Sequence, residues 1–318
     1  MPTSDNTLAP ALKPRVSYFA TVWLCLTLGL ASPAPAQQLD PGAPSAKPVP
    51  GFRSVDIGGR SLRYQCYGVG VPTVIIEPGG GTSLETVFSW NRPIGWAVIV
   101  PEIAKTTRVC AYDRAGLGRS DKAPMPRTSA DVAKDLHALI ERTGLRAPFV
   151  IAGQSFGGMN ARMFAHLYPE AVAGLILIDS SHPDAYPEIA KVLPARAPDD
   201  KDYELVKGWR EGPDLSKTRE WVDLKANGDL VRATGGIGDK PLVVLTQSPQ
   251  WNDPYAPDDI EALIDAVGAR LQAGLTALST NSKQVVASKA GHNIQFDEPQ
   301  LVIDAIVDVV AKVRSDKH

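Results

Sequence analysis

Hydrophobic residues occur along the chain in short continuous runs, separated by longer stretches of helical periodicity. Runs of this length suit strands that helices bury on both faces. The predicted strands are residues 53–57, 62–67, 73–77, 108–112, 149–152, 175–179, 242–246 and 284–287. Gly58-Gly59 between the first two predicts a hairpin. The pattern therefore predicts an α/β fold with a mostly parallel eight-stranded sheet and an antiparallel start.

Two helices are well marked. A capped amphipathic helix begins at Ser129, continues through apolar residues at helical spacing and ends near Gly144. Residues 301–313 are strongly apolar and predict a terminal helix. Helices of this kind cover both faces of a parallel sheet.

The alternation of strands and helices breaks for some 60 residues before the seventh strand, where Pro, Asp, Lys and Trp are frequent. A structureless loop of that length is uncommon inside a domain. We therefore predict an inserted lid with helical pieces at about residues 181–240. The domain that contains it is expected to span residues 52–318.

Residues 1–36 have the pattern of a signal peptide. Lys13 and Arg15 precede an apolar run at 16–31, and an Ala-x-Ala cleavage site follows. The run of about 16 residues is shorter than the ~20 that a membrane-spanning helix needs. We expect cleavage, a secreted or periplasmic location, no stable membrane span after processing, and a flexible lead-in at residues 37–51.

The formal net charge is −2, and the basic residues are spread along the chain. This distribution argues against a nucleic-acid partner. The sequence has no paired His at ligand spacing and no Cys-x-x-Cys. The expected partner is a small-molecule substrate, with no metal and no cofactor.

The candidate nucleophile lies between a predicted strand and a predicted helix. Gly153-Gln154-Ser155-Phe156-Gly157 has the Gly-x-Ser-x-Gly pattern of a strand-to-helix turn that exposes a serine. The positions two before and two after this serine must lack bulk, and Gly153 and Gly157 provide that room. The junction predicts a nucleophilic Ser155.

A serine hydroxyl is a weak nucleophile at neutral pH and needs a general base nearby. The histidines are His137, His166, His182, His292 and His318. The last of these is terminal, and the first two fall on helices predicted to lie at the surface. His292, just after the last predicted strand, is the favoured base. His182, which follows the sixth strand, stays open as an alternative.

These features resemble the α/β-hydrolase superfamily over about residues 52–313. Residues 110–121 (Cys-Ala-Tyr-Asp-Arg-Ala-Gly-Leu-Gly-Arg-Ser-Asp) are similar to the Asp-x-x-Gly-x-Gly-x-Ser segment after the fourth strand of esterase-like members. The resemblance implies an α/β-hydrolase fold and a base after the last strand. It also implies a structural rather than catalytic role for Asp113 and Arg114.

The carboxylate that orients the base is less well marked. In this family it usually lies in the turn after the seventh strand. Here Pro249 occupies that position and Asp253 comes four residues later, which departs from the pattern. Asp179, at the end of the sixth strand, is the favoured acid and Asp253 the alternative. Asp258 and Asp259 remain open behind them.

The resemblance implies two backbone N–H donors for the tetrahedral oxyanion. One belongs to Phe156, and the other comes from the turn after the third strand, residues 77–81. Many relatives have His-Gly where this chain has Glu77 and Pro78. Because proline has no N–H, Gly79 is the expected second donor. No Lys-Ser/Thr follows the triple glycine, which argues against a phosphate loop.

Two cysteines, Cys66 and Cys110, would remain after signal-peptide cleavage in a compartment where disulfides persist. In this family the second strand runs antiparallel beside the fourth. The resemblance therefore implies that the two cysteines face each other and form a disulfide.

A serine nucleophile argues against the haloalkane dehalogenases and epoxide hydrolases of this fold, which use a carboxylate. The expected reaction is hydrolysis of a carboxylic ester or lactone through an acyl-enzyme on Ser155, with His292 as base. A small-substrate peptidase, a thioesterase and a perhydrolase use the same residues and are alternatives. A non-catalytic binding protein of the same fold is the rival from another class.

Overall fold

One eight-stranded sheet organises the computed structural model, which describes residues 51–88, 94–249 and 257–316. The strands are β1 Arg53–Asp56, β2 Ser61–Tyr67, β3 Thr73–Glu77, β4 Val109–Tyr112, β5 Phe149–Gln154, β6 Val172–Ile178, β7 Leu242–Thr246 and β8 Ser282–Val286. Their order is β1-β2-β4-β3-β5-β6-β7-β8. Strand β2 is antiparallel to β1 and β4, and the other pairs are parallel. The predicted sheet is thereby confirmed.

The helices connect these strands. They are α1 Leu84–Val87, α2 Trp96–Ala104, α3 Ser129–Thr143, α4 Phe156–Leu167, α5 Ala185–Val192, α6 Tyr203–Glu211, α7 Leu224–Arg232, α8 Asp258–Gly274, α9 Ile294–Asp297 and α10 Pro299–Ser315. Within the described ranges, no helix combines the length and apolar character needed to cross a membrane. The predicted signal peptide, the lead-in up to residue 50 and the alternative acid Asp253 lie outside the described residues.

The predicted bounds differ from the observed ones by up to three residues at strand ends. Strand β5 continues past its apolar run because Gly153 and Gln154 still pair with β6. Helix α3 begins at Ser129 as predicted, and the residue before it, Thr128, is its cap. The Thr128 N–H donates to the Asp131 carboxylate at 2.9 Å, which completes a capping box.

Alternating side chains divide the core into two layers. Val74 and Ile76 of β3 belong to the layer beneath α2 and α10, whereas Ile75 belongs to the layer beneath α3 and α4. All three are at most 2% exposed. Both faces of the sheet are therefore covered by helices, which explains why the inner strands β3 to β7 read as continuous apolar runs.

The segment at residues 181–240, which we call the insertion, contains α5, α6 and α7. The first two helices pack against α8 through a separate apolar cluster that includes Ile189, Val206 and Ile260. Val231 of α7 packs into the core layer beneath α3 and α4. The insertion therefore has helical pieces and its own buried contacts.

A disulfide joins Cys66 to Cys110, which are paired directly across β2 and β4 and are 44 residues apart in sequence. Cross-linking a loop of this size restricts the unfolded chain. We expect the Cys66→Ser, Cys110→Ser double variant to lose about 2–4 kcal/mol of unfolding free energy in urea titrations. In the presence of reductant, the unfolding free energy of the wild type should equal that of the double variant. Equal unfolding free energies without reductant would contradict the prediction.

Candidate active site

Ser155 occupies the sharp turn between β5 and α4. Its backbone has φ 53° and ψ −124°, a conformation that residues other than glycine rarely adopt. Its N–H donates to the carbonyl of Ile178 at 3.1 Å, and its own carbonyl accepts from the N–H of Ser181 at 2.9 Å. The backbone at the end of β6 therefore holds the turn on both sides of this serine.

The turn leaves no room for side chains at its glycines. A Cβ atom on Gly153 would lie 2.5 Å from the carbonyl oxygen of Gly157. A Cβ atom on Gly157 would lie 1.9 Å from the carbonyl oxygen of Glu77. The close approach expected at these two positions is present, because the turn is tight at Gly153 and packs at Gly157 on the backbone at the end of β3.

His292 lies in the loop between β8 and α9, and its partner is Asp179. The Nδ1 atom of the histidine is 2.6 Å from Oδ2 of the aspartate, whose Oδ1 accepts from the backbone N–H of Gln247 at 3.1 Å. The two side chains are 17% and 8% exposed. A mostly buried carboxylate is thus held between the histidine and the end of β7.

Asp179 directly follows β6 rather than ending it, because the strand ends at Ile178. Its φ is 39°, and among the described residues it and Ser155 are the only non-glycine residues with positive φ. The N–H of Asp179 donates to the carbonyl of Leu245 at 2.8 Å, which anchors the bend on β7. Strained backbone of this kind concentrates at functional sites.

The other acid candidates are placed differently. Asp258 and Asp259 are exposed at the start of α8, and Asp259 is 3.7 Å from the guanidinium of Arg196. Asp253 lies outside the described residues. The pairing at His292 therefore favours Asp179 among the candidates whose positions are described.

The loop that carries His292 is fixed at both ends. The Glu298 carboxylate accepts from the N–H of Ala290 at 3.0 Å and from that of Lys289. Burial raises the pKa of Glu298, but these hydrogen bonds outweigh it and leave the pKa below its ordinary value. The Gln154 side-chain amide donates to the carbonyl of His292 at 3.4 Å. The loop is thereby tied to the turn that carries the serine.

Gly79 lies against the serine turn. A Cβ atom built on it would be 2.4 Å from Oε1 of Gln154 and 3.4 Å from Cβ of Ser155. A Cβ atom on Gly80 would be 4.0 Å from Cβ of Phe156. The turn at residues 77–81, which we call the oxyanion turn, therefore packs against the serine turn. Its Gly79 lies close to Ser155, the predicted nucleophile, and the other predicted donor, Phe156, is the next residue in the chain.

Arg114 holds this turn from behind. It is 2% exposed, and its guanidinium donates to the carbonyls of Pro78 and Gly79 at 2.7 Å each. Burial lowers the pKa of Arg114, but the carboxylates of Glu220 and Glu77 outweigh it and raise the pKa above its ordinary value. These contacts agree with the structural role implied by the sequence, and Arg114 remains a cation.

Two residues near the site carried no signal in the sequence. The Ser181 hydroxyl oxygen is 3.5 Å from that of Ser155. Glu220 comes from the insertion, where no motif marked it, and forms an ion pair with Arg114. A buried arginine needs a carboxylate partner, but the sequence does not show which carboxylate the fold brings to Arg114.

His182 has surroundings unlike those of His292. Its Nδ1 atom accepts a hydrogen bond from the backbone N–H of Asp184 at 3.1 Å. Burial, aided by the nearby Arg162 cation, lowers the pKa of His182 to about 4. The ring is therefore neutral at physiological pH, and its Nδ1 is occupied by a backbone donor instead of donating to a carboxylate.

The low pKa of His182 predicts a pH-dependent stability. The unfolded chain, with a histidine pKa near 6.5, binds more protons than the folded one between about pH 6.5 and 4, so the folded state loses stability as the pH falls through this window. We expect His182→Gln to lose less on acidification, so that the melting temperatures of variant and wild type converge or cross. If the difference in melting temperature between His182→Gln and the wild type stays constant from pH 7 to pH 4, the prediction is wrong. His166→Gln controls for replacing an exposed histidine.

Within the described ranges, no group of three or more His, Cys, Asp or Glu side chains is arranged to hold a metal ion. The candidate site combines a serine on a strained turn, a histidine bonded to a carboxylate, and backbone amides close to the serine. These are the kinds of groups that nucleophilic hydrolases use.

Comparison with known proteins shows the family to which the chain belongs. Residues 72–256 match the family model of the alpha/beta hydrolase fold. The chain therefore belongs to the α/β-hydrolase family.

Its relatives include an AB hydrolase superfamily protein of Gibberella zeae, 23% identical over 290 residues that cover 76% of this chain and 87% of the relative. The uncharacterized protein YqjL of Bacillus subtilis is 24% identical over 237 residues, which cover 74% and 83% of the two chains. A thermophilic esterase from Thermogutta terrifontis has a similar solved structure, with a TM-score of 0.52 and 24% identity over 83% of this chain and 99% of the esterase. The likeness to this esterase is one of fold.

Proposed function

We propose that this protein is a serine hydrolase that cleaves a carboxylic ester or lactone. Ser155 attacks the carbonyl carbon while His292 takes the hydroxyl proton, and the histidine then gives that proton to the departing alkoxide. A water molecule, activated by the same histidine, hydrolyses the acyl-enzyme. The observation that carries the proposal is the 2.6 Å contact between His292 Nδ1 and Asp179 Oδ2. It is supported by a serine on a strained turn, whose N–H bonds to Ile178, the residue before Asp179.

The assigned roles follow from the electrostatics of these groups. A carboxylate at Nδ1 fixes the histidine tautomer whose Nε2 exchanges the serine proton, and it stabilises the imidazolium that forms. The tetrahedral intermediate carries a negative charge on the former carbonyl oxygen. The N–H groups of Gly79 and Phe156 are the proposed donors to that oxygen.

The test uses residues 37–318 with a series of p-nitrophenyl esters of increasing acyl length, together with a fluorophosphonate probe. We expect hydrolysis that depends on acyl length, and labelling located at Ser155 by mass spectrometry. A protein that is labelled but leaves every ester of the series intact would point to another acyl substrate. A protein that is neither labelled nor active would show that the proposal is wrong.

We also propose that the protein is exported. The signal-peptide pattern at residues 1–36 supports this, as does the Cys66–Cys110 disulfide, because disulfides persist in oxidising compartments. The mass of the mature N-terminus tests the proposal. A protein that retains residues 1–36 in the cytoplasmic fraction would contradict it.

A further inference from the structure

The insertion reaches the oxyanion turn through the buried carboxylate of Glu220. Glu220, between α6 and α7, is 6% exposed. Its Oε2 accepts from Nη2 of Arg114 at 3.0 Å and from the N–H of Gly81 at 2.9 Å. Its Oε1 accepts from Nε of the same arginine. One side chain of the insertion therefore binds both the arginine behind the turn and the turn itself.

Arg114 links Glu220 to the backbone of the oxyanion turn. While Glu220 occupies one edge of the guanidinium, Nη1 donates to the carbonyl of Pro78 at 2.7 Å and to the carboxylate of Glu77 at 3.0 Å. Nη2 donates to the carbonyl of Gly79, also at 2.7 Å. The guanidinium is thereby oriented on one side by the insertion and on the other by the oxyanion turn.

The contact between Arg114 and the carbonyl of Pro78 also fixes the direction of the Gly79 N–H. The carbonyl of Pro78 and the N–H of Gly79 belong to the same planar peptide unit, and in a trans peptide they point in opposite directions. Because Arg114 holds the carbonyl, it also sets the direction of the N–H. That N–H is the proposed second donor to the oxyanion.

The orientation of the buried Arg114 guanidinium depends on the negative charge of Glu220. A buried guanidinium that loses one of its carboxylates is left with an incompletely compensated charge. The remaining carboxylate, Glu77, lies on the Nη1 side. Without Glu220, the bidentate contact that fixes the plane of the guanidinium is lost, and its grip on Pro78 loosens.

We propose that Glu220 is a positioning residue that acts through Arg114 to orient the Gly79 N–H toward the oxyanion, so that the insertion completes the catalytic site. This inference rests on the proposed serine-hydrolase function. Glu220 does not contact the reacting atoms in this proposal. It acts on an N–H that binds the oxyanion, and this charge develops only as the transition state is approached. We therefore expect Glu220 to affect the stability of the transition state more than substrate binding.

The test compares Glu220→Gln with the wild type on the best ester of the series. Loss of a whole oxyanion donor lowers kcat about 10²–10³-fold, and a misdirected donor should cost part of that. We expect kcat to fall roughly 10–100-fold while KM changes less than about threefold. Glu211→Gln, at the exposed end of α6, is the matched control and should keep wild-type kinetics.

A second readout separates positioning from a general loosening of the fold. A trifluoromethyl ketone forms a tetrahedral adduct with the nucleophile, so its inhibition constant reports the oxyanion donors. In Glu220→Gln this constant should rise by the same factor by which kcat/KM falls. Arg114→Lys should cause a similar loss, and the double variant should lose little more than either single one, since both act on the same contact.

The outcomes are distinct. A folded Glu220→Gln protein with kcat within about threefold of wild type would overturn the inference and leave the proposed function standing. A rise in KM alone would overturn it too, because Glu220 would then shape substrate entry. If Glu220→Gln does not fold, Arg114→Lys decides by the same criteria. A wild type that is neither active nor labelled by fluorophosphonate would overturn both proposals.

Discussion

Replacing Ser155 by alanine is expected to lower kcat for ester hydrolysis by roughly 10⁵- to 10⁶-fold, to the level left by binding and backbone donors alone. No other group in the proposed mechanism forms the acyl-enzyme, so water would have to attack the ester directly. His292→Ala should cause a loss of similar size, because the hydroxyl is a feeble nucleophile without its base. The double variant should be no worse than either single variant.

Ser181→Ala is the matched control for the nucleophile. Its hydroxyl oxygen lies only 3.5 Å from that of Ser155, so it tests whether the position or the mere presence of a serine matters. We expect it to retain most of the wild-type kcat and to be labelled by fluorophosphonate at Ser155. Residual activity above about one per cent in Ser155→Ala, free of contaminating esterase, would contradict the assignment.

The second large effect is expected at Asp179. Asparagine has nearly the same shape, but its amide supports the wrong histidine tautomer and does not stabilise the imidazolium. In a triad of this kind the change lowers kcat by about 10⁴-fold. We therefore expect Asp179→Asn to fold, to bind substrate with a similar KM and to lose about four orders of magnitude in kcat.

Asp253→Asn is the decisive comparison, because the usual position of the acid in this fold is the turn after the seventh strand. Asp258→Asn is the control for an exposed carboxylate. If Asp179 is the acid, both variants should remain within about tenfold of the wild type. A 10⁴-fold loss in Asp253→Asn together with a mild effect in Asp179→Asn would transfer the role to Asp253.

The sheet could be read from the sequence because its signals are local. Strands buried on both faces appear as short apolar runs, and all eight predicted runs correspond to observed strands. Their ends were less accurate, as β5 shows. Gly153 and Gln154 extend that strand because a neighbour offers hydrogen-bond partners, which the apolar run does not reveal.

The candidate nucleophile was also marked locally, whereas the candidate base was favoured by the family resemblance. A serine between two close glycines at a strand-to-helix junction requires a particular backbone conformation, and Ser155 has it, with φ 53°. His292 was favoured by its place after the last strand. Its catalytic role, like that of Ser155, is a prediction for the variants above.

The acid could not be chosen in this way. Chain order permits any carboxylate between the nucleophile and the base, and position along the chain says little about distance. In the structure, a φ of 39° turns Asp179 off the end of β6, and its carboxylate meets a histidine 113 residues later. Only the adjacency of β6, β7 and β8 in the sheet produces that meeting.

The sequence by itself determined the features that depend on neighbouring residues: the strands and the strained serine turn. The choice of His292 as candidate base rested on the family resemblance. The tertiary structure decided which distant charges meet. It joined Asp179 to His292, and it joined Glu220 of the insertion to Arg114 across 106 residues. The physical reason is that backbone conformation is a local property of the chain. A buried charge, in contrast, takes its partner from whichever segment the fold brings within hydrogen-bond distance.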